Sequence, residues 1–154
     1  GDRDGFTPCT PQAVVEILDH YGIKIEGKRV VIIGRSMVVG RPLAMMLLKR
    51  NATVTICHTR TKDLAHEAKR AEILIAAAGK ARMVTKDMVS DGAVVIDVGI
   101  NFDENGKMCG DVDFDNVSPI AGQITPVPGG VGSVTSTVLA KHVIEAFKLQ
   151  QKTL

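Results

Sequence analysis

Arg29-Val30-Val31-Ile32-Ile33-Gly34-Arg35-Ser36-Met37-Val38-Val39-Gly40-Arg41-Pro42 is the stretch on which the fold turns. It opens as a short run that is apolar at nearly every position, breaks at Gly34, and resumes beyond Gly40 with Pro42 in a place that suits the first turn of a helix. A strand apolar on both faces is covered on both faces, which is the habit of parallel sheets. Gly34 permits a sharp turn off the strand, and Gly40 allows the following helix, read from Pro42 through Leu43, Met46 and Leu47 to Arg50, to pack closely on it.

The same alternation extends outward. Upstream, Phe6-Thr7-Pro8-Cys9-Thr10-Pro11 reads as extended, because residues before proline avoid the helical region. Thr10 then serves as N-cap and Pro11 as first helical residue of a helix carrying Val14, Ile17, Leu18 and Tyr21, stopped by Gly22. Downstream, Ala52 to Cys57 reads as a strand, Thr61 to Arg70 as a polar helix, Glu72 to Ala78 as a strand, Lys86 to Val89 as a short helical segment and Ala93 to Gly99 as a strand. Asn105-Gly106 marks a hairpin turn between Ile100-Asn101-Phe102 and Lys107 to Val112. The loop Pro126 to Gly132 leads into a last helix with Val134, Val138, Leu139, His142, Val143, Ala146 and Phe147 along one side. This order predicts one α/β domain over residues 1–154, a Rossmann-type, doubly wound, mainly parallel sheet with helices on both faces.

A strand, a glycine-bearing turn and a helix N-terminus together make a phosphate site, because the helix offers unpaired N–H donors and a favourable dipole. Here the turn reads G-x-S-x-x-x-G, with Ser36, between Gly34 and Gly40, as the small residue that lets a pyrophosphate approach the backbone. An NAD site places a carboxylate near the end of the second strand for the ribose 2′-hydroxyl. The corresponding residues are Cys57-His58-Thr59-Arg60-Thr61, with no acid, while Arg35 lies one residue into the turn. Two guanidiniums suit a 2′-phosphate, so the cofactor expected is NADP, with NAD second to it, and the expected contacts include Arg35, His58, Thr59 and Arg60. Asp97, ending a strand beside this cleft, is expected to bond backbone N–H groups of the next loop, and His20, His66 and His142 are read as structural or exposed.

Composition narrows the field. A net charge of +2 without a Lys/Arg run argues against nucleic acid or an anionic membrane as partner, and 3% aromatic residues leave few platforms for base stacking. No apolar run reaches the length of a membrane span. The three cysteines Cys9, Cys57 and Cys109 are scattered and odd in number, as expected of reduced thiols, and no spacing suggests a metal site. The charged start from Gly1 to Gly5 is unlike a signal peptide and reads as the middle of a longer protein.

Three motifs together carry a resemblance: Phe6 to Pro11, Val31 to Pro42, and Ile124-Thr125-Pro126-Val127-Pro128-Gly129-Gly130-Val131-Gly132. With Ala52 to Thr61, Val95 to Asn101 and Gly110-Asp111-Val112, they resemble the bifunctional methylenetetrahydrofolate dehydrogenase/methenyltetrahydrofolate cyclohydrolase family along almost the whole chain. Such a subunit has a preceding catalytic domain with a Tyr-x-x-x-Lys motif. Tyr21, the only tyrosine here, is followed four residues later by Ile25, so the chain resembles the cofactor domain, and no catalytic residue is expected on it.

The resemblance implies that Arg35, Ser36 and Thr59 meet the 2′-phosphate end of NADP and that Gly34 and Gly40 shape the turn. It also implies that Ile100, Gly130 and the rest of the loop lie near the nicotinamide with Thr135 behind it, and that Pro128, Gly129 and Val131 face a tetrahydrofolate substrate. Residues 1–22 and 133–154 would flank the domain and pack on the absent N-terminal half; the family pairing implies a homodimer, and the reduced thiols a cytoplasmic or other reducing compartment. Thr59 stands where serine is common, Ala13 replaces a usual glycine, and Ser133-Val134-Thr135 stands for Pro-Met-Thr. The chain alone is expected to bind cofactor with little turnover. The alternatives are a non-catalytic dinucleotide sensor or a dehydrogenase domain for another substrate, such as shikimate or quinate, against which the Pro126 to Gly132 loop argues.

Overall fold

A computed structural model describes residues 5–153, the last two by their backbone alone; the charged start from Gly1 to Asp4 and the final Leu154 lie outside the described residues. In chain order the elements are α1 (Cys9–His20), β1 (Arg29–Ile33), α2 (Gly40–Lys49), β2 (Thr53–Cys57), α3 (Leu64–Lys69) and β3 (Ile73–Ala76). A 3-10 turn (Lys86–Met88), β4 (Val94–Asp97), β5 (Asn101–Phe102), β6 (Met108–Cys109), α4 (Phe114–Val117), β7 (Gln123–Ile124) and α5 (Val131–Thr153) follow.

Five strands form one parallel sheet in the order β2-β1-β3-β4-β7. Successive side chains of the central strands alternate between two cores, as the strand period requires. Val30, Ile32, Ile73, Ile75 and Ile96 pack under α1, α2 and α5, while Val31, Ile33, Leu74, Ala76 and Val95 pack under α3, the 3-10 turn and α4. The sheet is therefore wound on both faces, as the unbroken apolar runs predict. Because β2 and β3 flank β1 on opposite sides, the chain reverses direction across the sheet between them, and the carboxyl ends of β1 and β3 open a crevice there.

The differences from the sequence expectation lie at element ends and at the sheet edges. Thr10 does not cap α1. The N-cap is Pro8, and the first helical bond runs from the Gln12 N–H to the Pro8 carbonyl at 3.1 Å. Pro11 is accommodated because it still falls in the first turn, where its missing N–H costs nothing. Gly22, at φ +64°, does end the helix. α2 starts at Gly40 rather than Pro42. The polar helix is shorter than Thr61 to Arg70: Asp63 caps it by accepting the His66 N–H at 3.3 Å, and the Thr61 hydroxyl accepts the His58 N–H instead. β2 is an edge strand, exposed at Thr53, Thr55 and Ile56. The hairpin at Asn105-Gly106 exists but with strands of two residues each, and only Gly106 has positive φ. Its turn is set by Asp103, whose Oδ1 accepts the N–H groups of Asn105 and Lys107 at 3.0 and 2.9 Å.

The last helix packs on α1 with only part of its apolar side. Val131 and Val138 are buried, and Phe6 rests on the His142 ring with centroids 5.0 Å apart. Leu139, Val143 and Phe147, read as part of the same side, are exposed. No helix among the described residues is long and apolar enough to cross a membrane.

Candidate cofactor site

At the end of β1 the chain is pinned on both sides: the Gly34 N–H donates to the Cys57 carbonyl and the Ala77 N–H to the Ile33 carbonyl, each at 2.8 Å. Gly34 has φ +132°, and a Cβ there would overlap the Ala77 carbonyl. A Cβ on Gly40 would overlap the Gly34 carbonyl, so the first residue of α2 sits directly on the strand end. Both glycines are thus fixed by close approach, as the spacing predicts.

Within the turn, Ser36 is the clamp. Its Oγ accepts the N–H groups of Val39 and Gly40 at 3.0 and 3.4 Å, and its carbonyl accepts the Arg41 N–H at 3.0 Å. This alters the expected donor set: Pro42 has no N–H, so the first turn of α2 is largely spent internally. The N–H groups of Arg35, Ser36, Met37 and Val38, in the exposed turn itself, have no protein partner among the described residues. An anion lying over the turn therefore meets the turn amides before the helix amides.

Ile33 and Cys57 are partners across the β1–β2 pair, so Arg35 and Thr59 each stand two residues beyond the matched ends of neighbouring strands, which within a sheet run roughly 5 Å apart. Arg35, Thr59 and Arg60 are exposed, and neither guanidinium forms an ion pair among the described residues. The first acid after β2 is Asp63, already committed to capping α3. His58 is half-buried, and its Nδ1 accepts the Arg60 N–H at 3.1 Å, so the imidazole holds the 58–61 turn in shape.

Further along the strand ends lies a cleft of about 340 Å³ lined by Ile100, Met108, Pro128, Gly130, Val131 and Ser136 among others. Ile100 is 61% exposed and its Cδ1 lies over Gly132. Gly129 has φ +95°, and a Cβ on Gly130 would overlap the Pro126 carbonyl. These two glycines also line a larger recess of about 660 Å³ between α1 and β7, so the loop is a thin partition with open space on either side. Val131 turns its side chain into the core, and the Thr135 hydroxyl donates to the Val131 carbonyl at 2.9 Å, inside its own helix.

Two buried carboxylates brace this end of the sheet. Asp97 accepts the N–H groups of Gly99, Asp111 and Val112 at 2.9, 3.0 and 2.9 Å, which is the backbone role expected of it. Burial pushes its carboxyl above the ordinary range; the three N–H groups pull the other way, and the Asp111 charge adds to the rise. Asp111, also buried, was not legible as a structural acid: its partners include Ala78, Gly79 and Lys80, about thirty residues away in sequence, although the Gly110-Asp111-Val112 string did mark its surroundings. Gly99 and Gly110 leave room for these carboxylates, since a Cβ on either would overlap one.

The family described as tetrahydrofolate dehydrogenase/cyclohydrolase, NAD(P)-binding domain, matches residues 8–151. The chain belongs to this family. The bifunctional protein FolD of Alkaliphilus oremlandii is 61% identical over 150 residues, covering 97% of this chain and 53% of its own length. That of Clostridioides difficile is 60% identical over 150 residues, covering 97% and 52%. Among solved structures, the bifunctional FolD methylenetetrahydrofolate dehydrogenase/cyclohydrolase of Campylobacter jejuni superposes with a TM-score of 0.93 at 49% identity, over 96% of this chain and 52% of that one. The Trypanosoma brucei enzyme, solved with NADP cofactor and an inhibitor, gives 0.88 at 41% identity, over 94% and 52%. The chain spans about half the length of the curated relatives it matches. It corresponds to the family's NAD(P)-binding domain.

Proposed function

We propose that this chain is the NADP-holding half of a methylenetetrahydrofolate dehydrogenase/methenyltetrahydrofolate cyclohydrolase. Its reaction is hydride transfer from 5,10-methylenetetrahydrofolate and hydrolysis of the methenyl product to 10-formyltetrahydrofolate. The carrying observation is the pair of uncommitted guanidiniums, Arg35 and Arg60, past the matched ends of β1 and β2, with no free carboxylate between Cys57 and Asp63. There Arg35, Thr59 and Arg60 would hold the 2′-phosphate, His58 fixing the turn that carries the last two. The unpaired amides of residues 35–38 would take the pyrophosphate over Gly34 and Gly40, and Ser36, whose oxygen already accepts two N–H groups, would donate its own proton to a phosphate oxygen.

NADP supplies the hydride acceptor when bound; the protein supplies orientation. Ile100, Gly130 and Thr135 would bound the nicotinamide end, and the thin partition would let a tetrahydrofolate carried by the rest of the enzyme approach over Pro128, Gly129 and Val131. None of these side chains is a free acid or base, so the chain alone is expected to bind without appreciable turnover. A homodimer in a cytoplasmic, reducing setting completes the reading, in keeping with three free thiols; sedimentation velocity reads the assembly directly.

Calorimetric titration with NADP and NAD at one fixed salt concentration tests the cofactor assignment. NADP is expected to bind more tightly, and Arg35→Ala or Arg60→Ala to weaken NADP about tenfold each while leaving NAD nearly unchanged. Equal affinities for the two cofactors in the wild type would overturn it.

A further inference from the structure

Asp111 is fully buried at 0% exposure, yet the cofactor contacts proposed above make no use of it. Its Oδ2 accepts the N–H groups of Ala78 and Gly79 at 2.6 and 2.9 Å, and its Oδ1 accepts the Lys80 N–H and the Asn101 side-chain amide, both at 2.9 Å. Three successive amides turned onto one carboxylate form the kind of concavity that elsewhere collects an anion. Here the chain's own side chain fills it, so the loop after β3 cannot shift without Asp111.

The two ends of that tether matter. The loop is continuous with Ala77, whose carbonyl packs against Gly34 at the root of the phosphate turn. Asn101 directly follows Ile100, the exposed wall of the neighbouring cleft. Asp97 holds Asp111 from behind by accepting its N–H and that of Val112. A single carboxylate thus bonds both the loop beside the phosphate turn and the residue beside Ile100.

We infer that Asp111 is a positioning residue for the cofactor, setting the Ile100 wall at a fixed separation from the phosphate turn. The inference rests on the NADP reading. An acid is required because four donors converge on two oxygens; an asparagine there offers one acceptor oxygen and turns an NH2 toward other N–H groups. In Asp111→Asn the 78–80 loop and Asn101 lose their common anchor, while Arg35, Thr59 and Arg60 stay as they are. The nicotinamide half of the ligand then loses its seat and the adenosine half does not.

Calorimetry on the wild type and Asp111→Asn, with NADP and with adenosine 2′,5′-bisphosphate, separates the two halves. The NADP Kd is expected to rise about tenfold, the loss of one well-made polar interaction, and the bisphosphate Kd to change by less than about twofold. Amide exchange at Ala78, Gly79 and Lys80 is expected to quicken without ligand. Asn101→Ala, which leaves the carboxylate on residues 78–80, should repeat the NADP effect at about threefold and decides the matter if Asp111→Asn does not fold. An unchanged NADP Kd in a folded variant, or equal weakening of both ligands, overturns the positioning role. A wild type that binds neither ligand overturns the NADP reading, and this inference with it.

Discussion

Gly34→Ala is expected to abolish measurable NADP binding and to lower stability by about 2–4 kcal/mol, by combining backbone strain with a steric overlap. At φ +132° the position favours glycine, and the added Cβ would overlap the Ala77 carbonyl, with the carbonyl carbon 2.7 Å away. Relief is hard to find, because Ala77 is held by its N–H bond to Ile33 and Gly34 by its own to Cys57. Any shift moves the residue that opens the phosphate turn and unseats Gly40 above it. Gly22→Ala is the matched control: it shares a positive φ of +64° but has nothing within 4 Å of the added atom. It should cost about 1 kcal/mol and leave NADP affinity unchanged. Chemical denaturation and calorimetry on the two variants read both quantities, and a Gly34→Ala chain that binds NADP like the wild type would remove the turn from the site.

The central strands were legible because burial on both faces leaves a signature within the strand itself. Val30 to Ile33, Ile73 to Ala76 and Val95 to Ile96 are apolar at consecutive positions, and all are buried. The edges carry no such mark. β7 is two residues, Gln123 and Ile124, squeezed between Gly122 and Thr125-Pro126, and α4 is a single turn. Neither is long enough to show a period, and their pairing is decided by what lies beside them. The same distinction divides the site. Gly34, Ser36 and Gly40 announce themselves because the constraints on a tight turn are local. The donors left open in that turn could not be read, since they depend on which amides Ser36 and Val39 take up first. The bond from the His58 ring to its own turn was equally out of reach, because the sequence shows a histidine near a phosphate site and not where the ring points. Asp111 is the extreme case, its carboxylate bonding residues 78–80 and Asn101 from two separate segments, a convergence that the local string Gly110-Asp111-Val112 does not reveal.

Gly110→Ala is expected to lower stability by about 3–5 kcal/mol, because displacing a buried carboxylate strands N–H donors that cost roughly 1–3 kcal/mol each when unpaired. The added Cβ would fall on the Asp97 carboxylate, with Cγ 2.5 Å and Oδ1 2.8 Å away. Asp97 cannot retreat while it accepts from Gly99, Asp111 and Val112. Here the cost is purely steric and electrostatic, because Gly110, unlike Gly34, is not among the positive-φ residues. Combining it with Asp97→Ala tests the cause: if the clash with that carboxylate is what hurts, the double variant loses little beyond Asp97→Ala alone, a non-additivity expected of groups in contact. Fully additive losses, or a Gly110→Ala penalty below about 1 kcal/mol, would sink the account. Acidification gives an independent check. Because burial raises the Asp97 pKa in the folded state, its favourable contribution is complete below the unfolded pKa and is lost as pH rises through the folded one. The stability of the wild type relative to Asp97→Asn, which cannot titrate, should therefore increase as the pH is lowered from neutrality toward the ordinary carboxylate range.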